Sequence, residues 1–563
     1  MKREREIAAL LAALVMISGE ARSASRTHAR SMVITRQGIV ATSQTLASQA
    51  GAQILARGGS AVDAAIAANA VLSVVEPMSC GIGGDLFAIY RDAKTGKLSG
   101  INASGWAPKN LSIDYLEKKG LTTMPQLGIL SVTVPGCVDG WEKLHKRFGK
   151  LPWADLFRPA IYYATNGFPV TEMIQQNWYG EMAKLTQERY ARPLFLPGGA
   201  APRIGQVFRN PDLANALELI AKNGAAAFYK GPITQAILRV SEANGGVLEA
   251  ADFSEFESEW IDPISTDYRG WKVYELPPNG QGIAALEMLN IFETFPMSEH
   301  EPLSADAFHL KIEAQKLAYQ DLQRYVGDPR FAKIPVSGML SKPYAAERAR
   351  LINPAKANCQ AAPGEPPFGP GDTIYLSVVD RDGNIVSLIQ SIYLAFGSGI
   401  PVNGMGFHLH NRGGLFVLDR QHPNALAPRK RPFHTIIPAY MEKGDMHVGF
   451  GIMGGLNQAQ AHAQFVSNIA DHDMNIQAAL EAPRFTKRDF GGCEVVVEGR
   501  LPAETRSVLL DRGHKLDVRA AFDDIVGGGQ VVLHNSTSKV NYGASSPRKD
   551  GAAIPEPDPY FAK

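Results

Sequence analysis

A threonine hydroxyl is a weak nucleophile until a base removes its proton. Thr373 stands in GDTIYLSVVD (Gly371 to Asp380), directly after AAPGEPPFGP (Ala361 to Pro370). That preceding stretch is dominated by proline, which no helix or inner strand tolerates, so it reads as an exposed loop. A chain cut before Thr373 would free that residue's own α-amine. With an ordinary pKa of roughly 7.7–8.0, the amine is a base able to take the hydroxyl proton near neutrality. The β-branched side chain has few rotamers and would hold the hydroxyl in place. The plain alternative is a structural threonine opening a strand, which is what most such threonines are.

Three further groups could work with it. TIYLSVVDRDGNIVSLIQSIY reads as a hairpin turning at Asp382-Gly383. Its apolar residues fall on both faces, so the sheet should be covered on both sides. Ser391, on the second strand, is either a hydroxyl partner of Thr373 or a polar residue satisfied by backbone. Gly454 and Gly455 lie in a strand–turn–helix pattern, GDMHVGFGIMGGLNQAQAHAQFVSNI. Glycine lets backbone N–H groups approach a tetrahedral oxyanion closely, and a helix N-terminus favours the same charge. An ordinary strand–helix turn is the alternative. GIGGD (Gly81 to Asp85) lacks the GK[ST] of a phosphate loop. His408 and His410 could share one strand face, but no Cys/His pair supports a metal there, and none is expected.

The surrounding elements are readable. Ser60 should cap a helix over AVDAAIAANAVLSVV, which is apolar nearly all round and therefore buried. LFAIYRDAKTGKLSGINAS reads as a hairpin turning at Lys94-Thr95-Gly96, and Ala305 to Tyr325 as the longest helix. The 563 residues suit two domains or one large layered one. A net charge of +1 without a basic stripe argues against a nucleic-acid partner. The four cysteines lie far apart with no CxxC, so neither a zinc site nor a disulfide framework is expected, and no cofactor is called for. At the start, a basic MKRER, an apolar run from Ile7 to Ile17 and small residues near Ser23 form a secretory leader pattern. Residues 1–24 are accordingly expected to be removed, giving a periplasmic or secreted protein; the plain alternative is a frayed N-terminal helix. The run is too short for a membrane span, so no membrane partner remains once it is gone.

GDTIYLSVVDRDGN resembles the γ-glutamyltranspeptidase signature, in which a threonine stands just before a strand ending in SVVD. The N-terminal block ATSQTLASQAGAQILARGGSAVDAAIAANAVLSVVEPMSCGIGGDLF also matches, and SVTVPGCVDGW, EAQKLAYQD, FGSGI, KRPFHTIIP, GIMGG, ALEAPRF and YGASSPR follow in the family's order. The resemblance covers essentially everything after residue 32. It implies the α+β fold of N-terminal nucleophile hydrolases, an αββα four-layer sandwich of two antiparallel sheets between helix layers. It also implies a precursor cut between Asp372 and Thr373 into a large subunit, 25–372, and a small one, 373–563. Ser391 would then orient the Thr373 amine and hydroxyl, and Gly454-Gly455 would form the oxyanion loop.

The chain departs from the family at the acyl pocket. Where the family recognises a glutamyl α-carboxylate and α-amine, Ser104 replaces an arginine, Gly414 an acidic residue, His434 and Thr435 a serine pair, and Tyr393 an asparagine. The stretch between Phe416 and Pro432 is too short for the family's lid loop. An Arg–carboxylate pair is among the stronger polar contacts, so its loss implies another substrate. This resembles the divergent branch of oxamate amidohydrolase-like and cephalosporin acylase-like members. Arg412, His434 and Tyr393, with Thr435 and Ser104, are the candidates for the new pocket. Their plain alternatives are a surface ion pair for Arg412, a satisfied core histidine for His434 and a packed strand aromatic for Tyr393. The implied function is acyl transfer from a small carboxylate-bearing amide to water or an amine. The alternatives are a non-glutamyl acylase or amidase for glutaryl- or oxamate-like substrates, or a catalytically dead binding protein of the same fold.

Overall fold

The computed structural model describes residues 28–360, 372–488 and 490–560. The expected leader and the proline-rich stretch from Ala361 to Pro370 lie outside the described residues. Two seven-stranded sheets dominate. The first runs in the order Ala552–Pro555, Ile39–Thr42, Asp372–Val379, Ile385–Tyr393, Asp85–Arg91, Leu98–Ala103 and Glu259–Ile261. The second runs Val33–Thr35, Val540–Ser545, Gly529–Asn535, Met446–Ile452, Ala439–Lys443, Trp271–Glu275 and Ile264–Tyr268. Every pairing in both is antiparallel. The expected hairpin at Asp382-Gly383 forms the middle of the first sheet.

Strand alternation explains the layering. Ile374, Leu376 and Val378 point outward, into a core shared with the helix Ala61–Val75. Tyr375, Val379 and Ile389 point inward and meet Tyr440 and Val532 of the second sheet and Met453 just beyond its strand Met446–Ile452. The outer face of the second sheet is covered by the helices Gly282–Phe292, Ala305–Tyr325 and Asn457–Ala470. Helix, sheet, sheet and helix therefore stack, and both sheets are apolar on both faces, as the continuous runs of their central strands require. The helix Ala61–Val75 is buried along all 15 of its residues. Its start is fixed by a reciprocal cap: Ser60 Oγ accepts from Asp63 N at 3.1 Å, and Ser60 N donates to Asp63 Oδ2 at 2.9 Å.

One expectation fails. Cys359 and Cys493 form a disulfide across a sequence separation of 134 residues, with Cα atoms 4.9 Å apart. Spacing could not show it, because the fold brings Asn358–Gln360 beside the strand Glu494–Glu498 only through long-range packing. Cys80 and Cys137 are buried and take no part in a disulfide.

Candidate active site

Thr373 and Ser391 face each other across the central hairpin, on the side that looks between the sheets. The pairing register shifts between Asp372 and Ile374, so Thr373 occupies an irregularity at the strand's beginning. Thr373 Oγ1 lies 3.3 Å from Ser391 Oγ, and both residues are buried. Ser391 Oγ also accepts from the Tyr393 amide at 2.8 Å and from Arg412 Nη2 at 3.1 Å. Arg412 Nη1 in turn donates to Thr435 Oγ1 at 2.8 Å. The guanidinium carbon stands 4.6 Å from the centre of the Tyr393 ring, a cation–π contact. Tyr393 has φ +75°, a left-handed conformation rarely adopted by an aromatic residue. Arg412 is thus no surface ion pair: it is fully buried and joins three of the other expected site residues, Ser391, Thr435 and Tyr393.

A buried carboxylate underlies this cluster. Asp85 ends the GIGGD segment and begins a strand of the first sheet. His434 Nε2 donates to Asp85 Oδ2 at 2.9 Å, and His410 Nδ1 lies 3.1 Å from the same oxygen. Arg412 Nε is 3.9 Å from it, and the Gly105 amide donates to Oδ1 at 2.8 Å. Burial alone would raise the Asp85 carboxyl, but His410 and His434 beside it hold it below the usual carboxylate range. Burial, then the Arg412 charge, pushes His434 down to about 3. Its neutral ring donates from Nε2 and accepts the Ile436 amide at Nδ1, 3.3 Å away. Burial lowers Arg412 to about 10, against the opposing pull of Asp85 and Tyr393, so it stays cationic at neutral pH.

The glycines before Asp85 make this approach possible. A Cβ at Gly84 would lie 2.3 Å from the Ser391 carbonyl oxygen. The Gln390 side chain clamps the same segment, accepting from Gly81 N at 3.1 Å and donating to Gly81 O. The amino-acid sequence set GIGGD apart only as lacking a phosphate-loop signature, and Asp85 was missed. The available signal was an acidic residue at the start of an apolar strand, where a lone charge needs partners.

Gly454 and Gly455 follow the strand Met446–Ile452 and precede the helix Asn457–Ala470. Both have positive φ, +113° and +60°. Among the described residues no acceptor takes either amide hydrogen, whereas Gly455 O accepts from Gln281 Nε2 at 2.8 Å. Gln281 Nε2 also donates to Thr435 O, so one side chain couples the glycine turn to the Arg412 cluster. Gly454 opens on a cleft of about 490 Å³ that Ala395, Asn457, Lys487 and Lys549 also line.

Ser104 is not drawn into the cluster. Its hydroxyl donates to Asn102 Oδ1 at 2.7 Å and accepts from Asn279 Nδ2 at 3.3 Å. His408 and His410 part company: His408 packs against the rings of Phe195 and Phe396, while His410 turns to Asp85.

The two stacked antiparallel sheets between helix layers, with a hydroxyl residue opening a central strand, define the N-terminal nucleophile hydrolase class. The family model described as Gamma-glutamyltranspeptidase matches residues 47–556. The chain is 38% identical to the glutathione hydrolase-like YwrD proenzyme of Bacillus subtilis (strain 168), over 93% of this chain and 99% of that protein. It is 32% identical to the oxamate amidohydrolase proenzyme of Klebsiella pneumoniae, over 92% and 98%. The crystal structure of cephalosporin acylase from Bacillus halodurans superposes with a TM-score of 0.88 at 41% identity, covering 95% of this chain and 99% of that one. The chain belongs to the γ-glutamyltranspeptidase family, and it is an enzyme of amide hydrolysis and acyl transfer.

Proposed function

We propose that this protein is an exported precursor that cuts itself between Asp372 and Thr373 and then uses Thr373 as an N-terminal nucleophile. Residues 1–24 would leave as a signal peptide, and 25–372 and 373–563 would remain as the two subunits. The observation that carries the reading is the buried chain Thr373–Ser391–Arg412–Thr435 at the start of the strand that cleavage would make an N-terminus. In cleavage, the Thr373 hydroxyl attacks the Asp372 carbonyl and the peptide nitrogen leaves as the new α-amine. Water then hydrolyses the ester. In turnover, that amine takes the hydroxyl proton as Oγ1 attacks the substrate amide. The Gly454 and Gly455 amides, whose hydrogens meet no acceptor among the described residues, receive the oxyanion. The ammonium returns its proton to the leaving amine, and water or an amine accepts the acyl group.

The acyl group fits a carboxylate with no free α-amine. Arg412 sets a fixed positive charge against Ser391, and His434 is neutral, while Gly414 offers no anion to an ammonium group. Relatives named as an oxamate amidohydrolase and a cephalosporin acylase support this narrower reading. The intact cluster argues against a dead binding protein. Replacing Thr373 tests the whole scheme. Thr373→Ala should leave one uncut, inactive chain, and Thr373→Ser should retain part of both reactions. An alanine variant that is cut and active would show that another residue is the nucleophile.

A further inference from the structure

Cys359 lies on the large-subunit side of the proposed junction, thirteen residues before Asp372, and Cys493 lies on the small-subunit side. We infer that the Cys359–Cys493 disulfide becomes a covalent bond between the two subunits once the chain is cut. The inference rests on the processing reading above.

Cleavage changes what this bond does. In the precursor, the peptide chain already joins both halves. Afterwards the described residues 353–360, on the large-subunit side of the cut, are held by a few polar contacts. The Ala357 amide donates to Arg512 O at 2.7 Å and the Asn358 amide to Glu313 Oε2 at 3.1 Å. Lys316 Nζ donates to Asn358 O at 2.9 Å. Most of residues 353–360 are exposed. Exposed chain near a terminus is poorly held unless tied down, and the disulfide ties this stretch at Cys359. It also keeps association of the halves intramolecular, so dilution cannot separate them.

The environment is asymmetric. Cys359 is exposed and Cys493 is buried, with Lys316 Nζ 3.8 Å from Cys493 Sγ. Nearby His309, Glu313 and His514 form the kind of cluster that holds a cation. Here Lys316 itself fills that role, donating to Glu313 Oε1 at 2.7 Å. Exchange therefore has a defined direction. An external thiolate reaches Cys359 Sγ, the S–S bond breaks, and the electron pair leaves on Cys493 Sγ beside the ammonium. A second thiol of the same reductant resolves the mixed disulfide, so the dithiol loses two electrons and the protein gains two thiols. Formation is the reverse, with a disulfide-exchange oxidant of an oxidising compartment taking the two electrons.

The test is the wild-type protein recovered from an oxidising compartment, alkylated and run on paired gels. The expected result is one band without reductant and two with dithiothreitol. Titration of the denatured protein should find two thiols, Cys80 and Cys137, and a tryptic peptide pair should link Cys359 to Cys493. Cys359→Ser should give two bands on both gels and a lower Tm for the processed enzyme. Two bands on both gels for the wild type, with four titratable thiols, would overturn the intersubunit bond while leaving processing intact. One full-length band on the reducing gel would overturn the processing reading, and the intersubunit role with it.

Discussion

At the residue scale, Arg412 separates two roles that the amino-acid sequence could not. Both of its terminal nitrogens are committed, one to Ser391 and one to Thr435. A lysine is a point charge and cannot bridge both. Hydrogen bonds to charged groups contribute about 1.5–3 kcal/mol each, so Arg412→Lys should lower kcat by roughly one to two decades. If Arg412 positions Ser391, the loss falls on kcat; a loss confined to KM would make it a substrate anchor instead. The pocket's chemistry gives a second expectation. With Ser104 bound to Asn102 and glycine at 414, two charged contacts to a γ-glutamyl group are missing, a cost of about 3–6 kcal/mol. Glutaryl anilides should therefore surpass γ-glutamyl anilides in kcat/KM. A γ-glutamyl preference of about tenfold, roughly 1.4 kcal/mol, would refute this picture of the pocket. Thr373, Ser391 and the glycine pair became candidates through the family resemblance more than through their residue types alone, and the structure brings the first two within 3.3 Å of each other. Asp85 was not, since its partners His410 and His434 come from more than 300 residues away in the chain.

At the scale of elements, the central hairpin, the Lys94–Gly96 turn, the capped helix and the strand–glycine–helix unit all appear where alternation and turn residues place them. The layer order was less direct: it follows from which strand faces are apolar, but sequence alone does not say which helix covers which sheet. The glycine turn offers the sharpest test. Gly454 has φ +113°, where a side chain is strained, and a Cβ there would stand 3.2 Å from Asn457 Cβ. Gly455, at φ +60°, sits where asparagine is tolerated. Gly454→Ala should cost about 1–3 kcal/mol of stability and lower kcat, whereas Gly455→Asn should cost little of either. Calorimetry and single-turnover rates distinguish them, and equal effects at both positions would mean that backbone conformation is not what the turn protects.

At the scale of the whole molecule, the disulfide was hidden because only the assembled fold joins its ends, and the same assembly buries histidines that sequence could not place. Burial pushes His408, His434, His462 and His514 each down to about 3, with neighbouring cations adding to the effect. In the unfolded chain a histidine takes up its proton near 6.5. Between about pH 6.5 and about pH 3 the unfolded state therefore binds more protons than the folded one. Stability then falls as pH falls, by up to about 1.4 kcal/mol per pH unit for each histidine. His408 isolates one contribution, because among the described residues neither of its ring nitrogens has a hydrogen-bond partner, and it packs between Phe195 and Phe396. His408→Leu removes the titrating group but keeps an apolar side chain there. Its Tm at pH 8 can fall through looser packing, but the decline in unfolding free energy from pH 6.5 to pH 5 should be shallower by one proton's worth. Denaturant unfolding at several pH values measures that slope directly. A slope identical to wild type would mean that His408 takes up its proton in the folded protein as readily as in the unfolded chain, and that its ring lies in a wetter site than the packing of Phe195 and Phe396 around it allows.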